Sequence, residues 1–569
     1  MRVLYLLLVL LIFSCKKKPE LSAHNQVKYQ PVRGVIAQNA MVVSARKEAS
    51  KIGKDILEKG GNAFDAMVAT EMALAVSYPY AGNLGGGGFM VFRKANGETG
   101  AIDYREKAPL ASFRDMYLDE KGNPIPEKSQ LGAMAVGVPG TIAGIFEVHK
   151  KFGTLSIKEL LTPVVALATK GYEVTLKQQK RFEKYKDIFI ETNTDTILYA
   201  KTYKAMDTVK NLPLAATIER IIENGKDEFY KGETGQKMVE YIQSKGGIIT
   251  MEDLAKYQAK WRKPVQFTYK NLTITSMSPP SSGGICLAQI MKMIEPYDLS
   301  SYGHNSLKSI QIITEAERRA YADRSFYLGD PDFVEIPVDT LISNSYLSER
   351  MKDFDPEKAT LSSNLSYGSI PGYESSETTH YSIIDQFGNA ISVTTTLNGA
   401  YGSKLYVPEI GFFLNNEMDD FSAKPGTPNM YGLLGTETNS IVPEKRMLSS
   451  MTPTLVEKDD KLWMSVGTPG GSSIITSVLQ TILNVEEFGM TMQDAVNAPR
   501  FHHQWLPDEV FFEPNLFDPN LLDSLQTKGY TINESETKIT SKVDGILVLS
   551  DGSLEGGADK RGDDKAIGF

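Results

Sequence analysis

The sequence predicts an α+β protein on three observations: helical periodicity dominates the first half, a polar stretch runs over 355–377, and short β-rich runs follow it. Ala63–Ser77 (AFDAMVATEMALAVS) is apolar nearly all round and reads as a buried helix. Residues 82–88 (GNLGGGG) lead into a strand at 89–92. That glycine run lacks the Gly-Lys-Ser/Thr and following helix of a phosphate loop, so it reads as a tight turn that brings backbone close to a helix. The spans 139–152, 157–171, 214–222 and 235–244 read as helices, and 307–323 as an amphipathic surface helix. The stretch 355–377 is serine-rich and broken by Pro and Gly, as expected of a mobile surface loop. Beyond it, 380–384 and 390–396 flank Asp385-Gln386-Phe387-Gly388-Asn389, a hairpin signature with Gly and Asn available for positive-φ positions. Further strands are expected at 451–456 and 462–466, then Thr468-Pro469-Gly470-Gly471-Ser472 and a helix over 474–486.

The chain has 569 residues, of which 41% are hydrophobic and 23% charged, with a formal net charge of -9. An acidic balance offers no basic field for a polyanion, so nucleic acid is excluded as a partner class. The N-terminus has Arg2, an apolar run over 3–13, then Ser14-Cys15 and three lysines. That run is short for a bilayer span and reads as an export signal. It resembles a bacterial lipoprotein signal, which implies removal of 1–14, lipidation of Cys15 and a polar tether over 15–34. The alternative is a plain secretory signal or short anchor. With only Cys15 and Cys286 present, disulfides and thiolate zinc sites are not expected. The six histidines lack the spacing of a helical zinc pair, so neither metal nor cofactor is expected.

The junction at Thr378 carries the chemistry. Cleavage between Glu377 and Thr378 would leave a free α-amino group, of pKa about 7.7 to 8, on the residue that bears the hydroxyl. Such an amine can take the hydroxyl proton without a histidine base. With the turn centred on Phe387, Thr378 faces Thr396, and the second hydroxyl can orient the first. Two ordinary β-forming threonines are the alternative.

Five segments, DYREKAP from Asp103, TTHYS from Thr378, LNNEMDDF from Leu414, LSSMTP from Leu448 and PGGS from Pro469, look like the motif set of the γ-glutamyltranspeptidases. The resemblance covers nearly everything after the tether. It implies a four-layer αββα sandwich of the N-terminal-nucleophile hydrolase type, made as a precursor that splits into a large subunit, 35–377, and a small one, 378–569, which stay together. It implies that Arg105 pairs with the α-carboxylate of a γ-glutamyl group, that Ser449 and Ser450 add hydrogen bonds, and that Asn398, Glu417 and Asp420 hold the α-ammonium. Local alternatives are an ion pair of Arg105 with Asp103 or Glu106, and a solvated turn for Glu417 and Asp420. Backbone N–H groups of Gly470 and Gly471 are the candidate oxyanion donors, since glycine lets backbone approach the reacting carbon. Residues 425–438 resemble a lid with Tyr431 as its gating aromatic, and Glu417 stands where some members carry glutamine. The implied activity is γ-glutamyl transfer from glutathione and related donors to water, amino acids or peptides. Two other readings fit less: a cephalosporin acylase or poly-γ-glutamate depolymerase of the same chemistry, and a non-catalytic peptide-binding lipoprotein.

Overall fold

The computed structural model describes residues 31–365, 378–430, 432–535 and 539–569. Two seven-stranded sheets form its centre. One runs, in spatial order, Lys565–Gly568, Met41–Ser44, Thr379–Ile384, Ala390–Thr396, Gly87–Arg93, Thr99–Asp103 and Lys260–Arg262. The other runs Val35–Ala37, Leu554–Ala558, Asp544–Val548, Lys461–Gly467, Thr454–Lys458, Leu272–Ser276 and Val265–Tyr269. Both are antiparallel throughout.

The sheets face each other across an apolar layer that includes Met41, Val43, Phe89, Val91, Leu455 and Ile546. Helices cover the outer faces. Ala63–Ser77 and Thr141–Phe152 pack on the first sheet, Gly283–Ile294 and Ser473–Glu486 on the second, and Leu307–Tyr327 on Gly283–Ile294. This is the αββα order. Every residue of Ala63–Ser77 is buried, and a capping box between Asn62 and Asp65 starts the helix. The expected helices appear at Thr141–Phe152, Ile157–Lys170, Leu212–Asn224 and Glu233–Ser244.

The glycine run holds backbone at close quarters, as read from the sequence. A Cβ on Gly86 would lie 2.0 Å from the carbonyl oxygen of Thr396, so only glycine lets this turn seat the end of that strand. Asn83 beside it donates to the Thr396 carbonyl at 2.8 Å. In the hairpin, Thr379 pairs with Thr395 and Ile384 with Ala390, the predicted register. Gly388 takes φ +90°, while Asn389 does not enter the positive region; Asp385 instead accepts from the Phe387 and Asn389 amides.

Two expectations need correction. Leu307–Tyr327 is not a surface helix: everything from Ser309 to Ser325 is buried. Its charges lie on all sides and several pair inside the protein, as Arg319 does with Glu315 at 2.6 Å. The stretch beginning at Asp355 is tied down over its described part, with Thr360 N–H donating to Glu315 and Ser362 Oγ donating to the Trp505 carbonyl. Residues 366–377 lie outside the described residues, as do Cys15 with the leader, Glu377 and Tyr431. The end of the expected tether docks: Gly34 N–H donates to Glu555 at 2.8 Å. Among the described residues Cys286 is a buried free thiol, and burial pushes its pKa up to about 12.

Candidate active site

Thr378 enters at the head of Thr379–Ile384, the strand between Met41–Ser44 and Ala390–Thr396. Its side chain is buried, and Oγ1 lies 3.5 Å from Thr396 Oγ1 across the hairpin. Thr396 Oγ1 also accepts from the Asn398 amide at 2.7 Å, which fixes its position. Asn398 takes φ +69° and donates from Nδ2 to the Asn416 carbonyl. A hairpin thus sets two hydroxyls on one face, and the turn after it sets Asn398 beside them.

Thr378 and Thr396 open onto a small cavity. Arg105, Asn398, Asp420, Ser449, Ser450 and Gly471 share its wall. Eight of the residues singled out from the sequence therefore meet in one place. Glu417 lies behind the wall, reached through Arg105, and Gly470 one residue back from Gly471. The lid-like segment contributes Leu433 to the cavity, and Met430 Sδ sits 3.6 Å from Asn398 Nδ2. A larger hollow beside Tyr117, Ile125 and Asp419 is lined by none of these eight.

Arg105 departs from its local alternatives. Its backbone N–H donates to Asp103, but its guanidinium pairs with Glu417 at 2.5 Å and with Asp420, while Glu106 stays at 3.8 Å. Glu417 and Asp420 are therefore not a solvated turn. They hold the very arginine that was expected to meet a substrate carboxylate. Burial works against the charge of Arg105, yet Glu417, Asp420 and Glu106 keep its pKa above the ordinary value. Burial raises the pKa of Glu417 and Asp420, with Arg105 opposing the shift, and pushes Glu106 up to about 8. Asn429 also donates to Asp420, at 3.2 Å.

Gly470 and Gly471 form the turn between Lys461–Gly467 and Ser473–Glu486, with φ of +137° and +53°. A Cβ on Gly470 would sit 2.3 Å from Ser541 Oγ, so the turn needs glycine for both space and backbone.

His380, two residues from Thr378, is buried between Thr394 Oγ1 at 3.0 Å and Ser382 Oγ at 3.1 Å. Burial lowers its pKa from 6.5 to about 3. It is a neutral structural ring with both nitrogens engaged. Because the unfolded chain protonates this ring first, its stabilising share is complete above about pH 6.5 and is lost as pH falls towards 3. The thermal midpoint should fall through that window, and less steeply in His380→Gln. Parallel pH profiles for the two proteins would refute this.

Sequence reading missed Arg324, which also lines the cavity. Its Nε donates to Ser282 Oγ at 2.9 Å and its Nη2 to Ser450 Oγ at 3.1 Å. The available signal was in its helix, where acidic and basic residues fall on every face and leave no apolar side to bury alone. No group of acidic, histidine or cysteine side chains that could hold a metal occurs among the described residues.

A buried threonine heading the central hairpin of an αββα sandwich, beside a cavity, defines an N-terminal-nucleophile hydrolase. The gamma-glutamyltranspeptidase family model matches residues 49–569. The chain is 45% identical over 546 residues to the glutathione hydrolase proenzyme of Escherichia coli K12, covering 95% of this chain and 93% of that protein. It belongs to the gamma-glutamyltranspeptidase family. Among solved structures, Helicobacter pylori gamma-glutamyltranspeptidase is 42% identical with a TM-score of 0.56, over 59% of this chain and 97% of that one. Cephalosporin acylase from Bacillus halodurans shares the fold, with a TM-score of 0.83 at 24% identity, over 98% of this chain and 99% of that one.

Proposed function

We propose that this chain is a proenzyme that cuts itself before Thr378 and then acts as a γ-glutamyltransferase and glutathione hydrolase. The observation that carries the reading is the convergence of Thr378, Thr396, Arg105, Asn398, Asp420, Ser449, Ser450 and Gly471 on one cavity. In maturation the Thr378 hydroxyl attacks the Glu377 carbonyl, the C–N bond breaks to free the α-amine and leave an ester, and water hydrolyses that ester to give the Glu377 carboxylate and return the hydroxyl. That amine then takes the proton from its own hydroxyl as Oγ1 attacks the γ-carbonyl of the donor. Amides of Gly470 and Gly471 receive the oxyanion. The leaving amine departs with the proton, and a γ-glutamyl ester remains on Thr378 for water or an amino acid or peptide amine.

Both sheets contain strands from 35–377 and from 378–569, hydrogen-bonded to one another, which supports subunits that stay joined after the cut. Export with a lipid on Cys15 rests on the leader alone. No helix among the described residues is long and apolar enough to cross a membrane.

The buried acceptors Glu417 and Asp420 favour a donor with a free ammonium over the glutaryl group of an acylase. Charged hydrogen bonds of about 1.5 to 3 kcal/mol imply roughly a 10- to 100-fold preference in kcat/KM for γ-glutamyl- over glutaryl-p-nitroanilide. Equal release of p-nitroaniline from the two would overturn the γ-glutamyl assignment.

A further inference from the structure

Two consecutive glycines make a pliable turn, and an oxyanion donor works only when its N–H is already aimed, about 2.7 to 3.1 Å from where the charge develops. The rigidity of Gly470-Gly471 therefore has to come from what surrounds it. On one side Ser473 supplies it, with its N–H and Oγ donating to the Gly470 carbonyl at 3.0 and 2.7 Å. On the other side the pins fall on Ser472, the residue next to Gly471. Ser472 Oγ donates to Gln504 Oε1 at 2.7 Å, and the Ser472 carbonyl accepts from the Tyr321 hydroxyl. His502 Nε2 donates to the same Gln504 oxygen at 2.9 Å, and its ring meets that of Tyr321 edge to face, with centroids 5.7 Å apart. All four side chains are buried. Tyr321 lies on Leu307–Tyr327, in the portion before Thr378, whereas the turn, His502 and Gln504 lie after it. One hydrogen bond thus carries the position of a helix in 35–377 to the turn beside the nucleophile.

We propose that Tyr321 is a positioning residue for the oxyanion: through the Ser472 carbonyl its hydroxyl holds the amides of Gly470 and Gly471 at the angle the tetrahedral intermediate requires. The inference rests on the oxyanion role assigned above to that turn and deepens it. Tyr321 does not touch the donor and acts through the chain. Without its hydroxyl, Ser472 keeps only the pin at Gln504, and the peptide planes on either side of Gly471 gain freedom to rotate. Binding of the donor through Arg105, Asp420 and the two serines is untouched, while the hydrogen bonds that strengthen only when the γ-carbonyl becomes tetrahedral are weakened. Formation and breakdown of the γ-glutamyl ester both pass through such an oxyanion, so both steps slow.

Tyr321→Phe keeps the ring and its contact with His502 and removes one oxygen. In single-turnover release of p-nitroaniline from γ-glutamyl-p-nitroanilide, the acylation rate should fall about 10- to 100-fold, with the donor's dissociation constant, read from the same curves, within about threefold of the wild type. The γ-boronic acid analogue of glutamate, whose boron takes the Thr378 oxygen and becomes a tetrahedral anion, should lose affinity by about the factor the rate loses. Ser472→Ala, which removes the other pin, should show the same split, and the double variant should lose less than the product of the two single effects, because both act on one residue. An acylation rate within threefold of the wild type, a loss carried by the dissociation constant, or a boronate bound as tightly as before overturns the proposal. If Tyr321→Phe is not cut at Thr378, Ser472→Ala decides: it must mature and lose rate and boronate affinity together, and otherwise the pins are architectural and the proposal falls. A wild type that cleaves the anilide but is not inhibited by the boronate would sink the oxyanion role of Gly470 and Gly471 instead.

Discussion

Thr378→Ala should emerge as one uncut polypeptide and release p-nitroaniline from γ-glutamyl-p-nitroanilide at least about 10⁴-fold more slowly than the wild type. The size of the effect follows from one oxygen serving twice, first against the Glu377 carbonyl and then against the donor. No neighbouring group can replace it. Thr396 Oγ1 is fixed by the Asn398 amide and carries no adjacent α-amine, and His380 is neutral with both ring nitrogens occupied. Thr378→Ser keeps the oxygen and should still cut. Intact-mass analysis should find two wild-type fragments, one running from Thr378 to Phe569, and a single species for the alanine variant. A wild type that remains whole yet is fully active, or an alanine variant cut at the same bond, would rule the mechanism out.

What was legible in advance was whatever local rules determine. The hairpin register follows from its turn, so the pairing of Thr379 with Thr395, and with it the approach of Thr378 to Thr396, could be placed residue by residue. Ala63–Ser77 was readable because an apolar residue on every face has only one destination. Residues that carry a motif, Arg105, Ser449, Ser450 and Gly471, were found together in space as they were in kind.

The rest depended on contacts between segments distant in sequence. Charged residues on Leu307–Tyr327 read as solvent-facing because their partners, such as Asp353 for Arg319 and Asp508 for Arg318, lie outside the helix. Arg324 was hidden for the same reason: its hydroxyl partners come from Ser282 and Ser450. The ion pairs of Arg105 likewise join residues 312 and 315 positions apart, and no spacing rule announces such a pairing. A pattern names the groups a pocket contains; only the fold shows which of them already satisfy one another.

Arg105→Ala should lower kcat/KM for the γ-glutamyl anilide by about 10²- to 10³-fold, and the reason lies in those pairings. Removing one partner of a buried ion pair costs about 3 to 5 kcal/mol, because the other partner is left charged and dry. Here two partners are left, Glu417 and Asp420; burial raises the pKa of both, and Arg105 is the cation that opposes the rise. Without it they should take up protons near neutrality and lose their ability to accept from the substrate ammonium, so one substitution removes a cation and silences two acceptors. The sign of the pH response follows. The variant's kcat/KM should rise with pH as the carboxyls ionise again, over a range where the wild type, with these groups held by Arg105, changes less. Arg105→Lys, which supplies the charge without the fork, should recover part of the loss and most of the wild-type pH profile. The measurement is kcat/KM on γ-glutamyl-p-nitroanilide across pH for the three proteins, each first checked for the cut at Thr378. An alanine variant within about threefold of the wild type would mean that Glu417 and Asp420 do not depend on Arg105 for their charge, and the pocket would have to be redrawn.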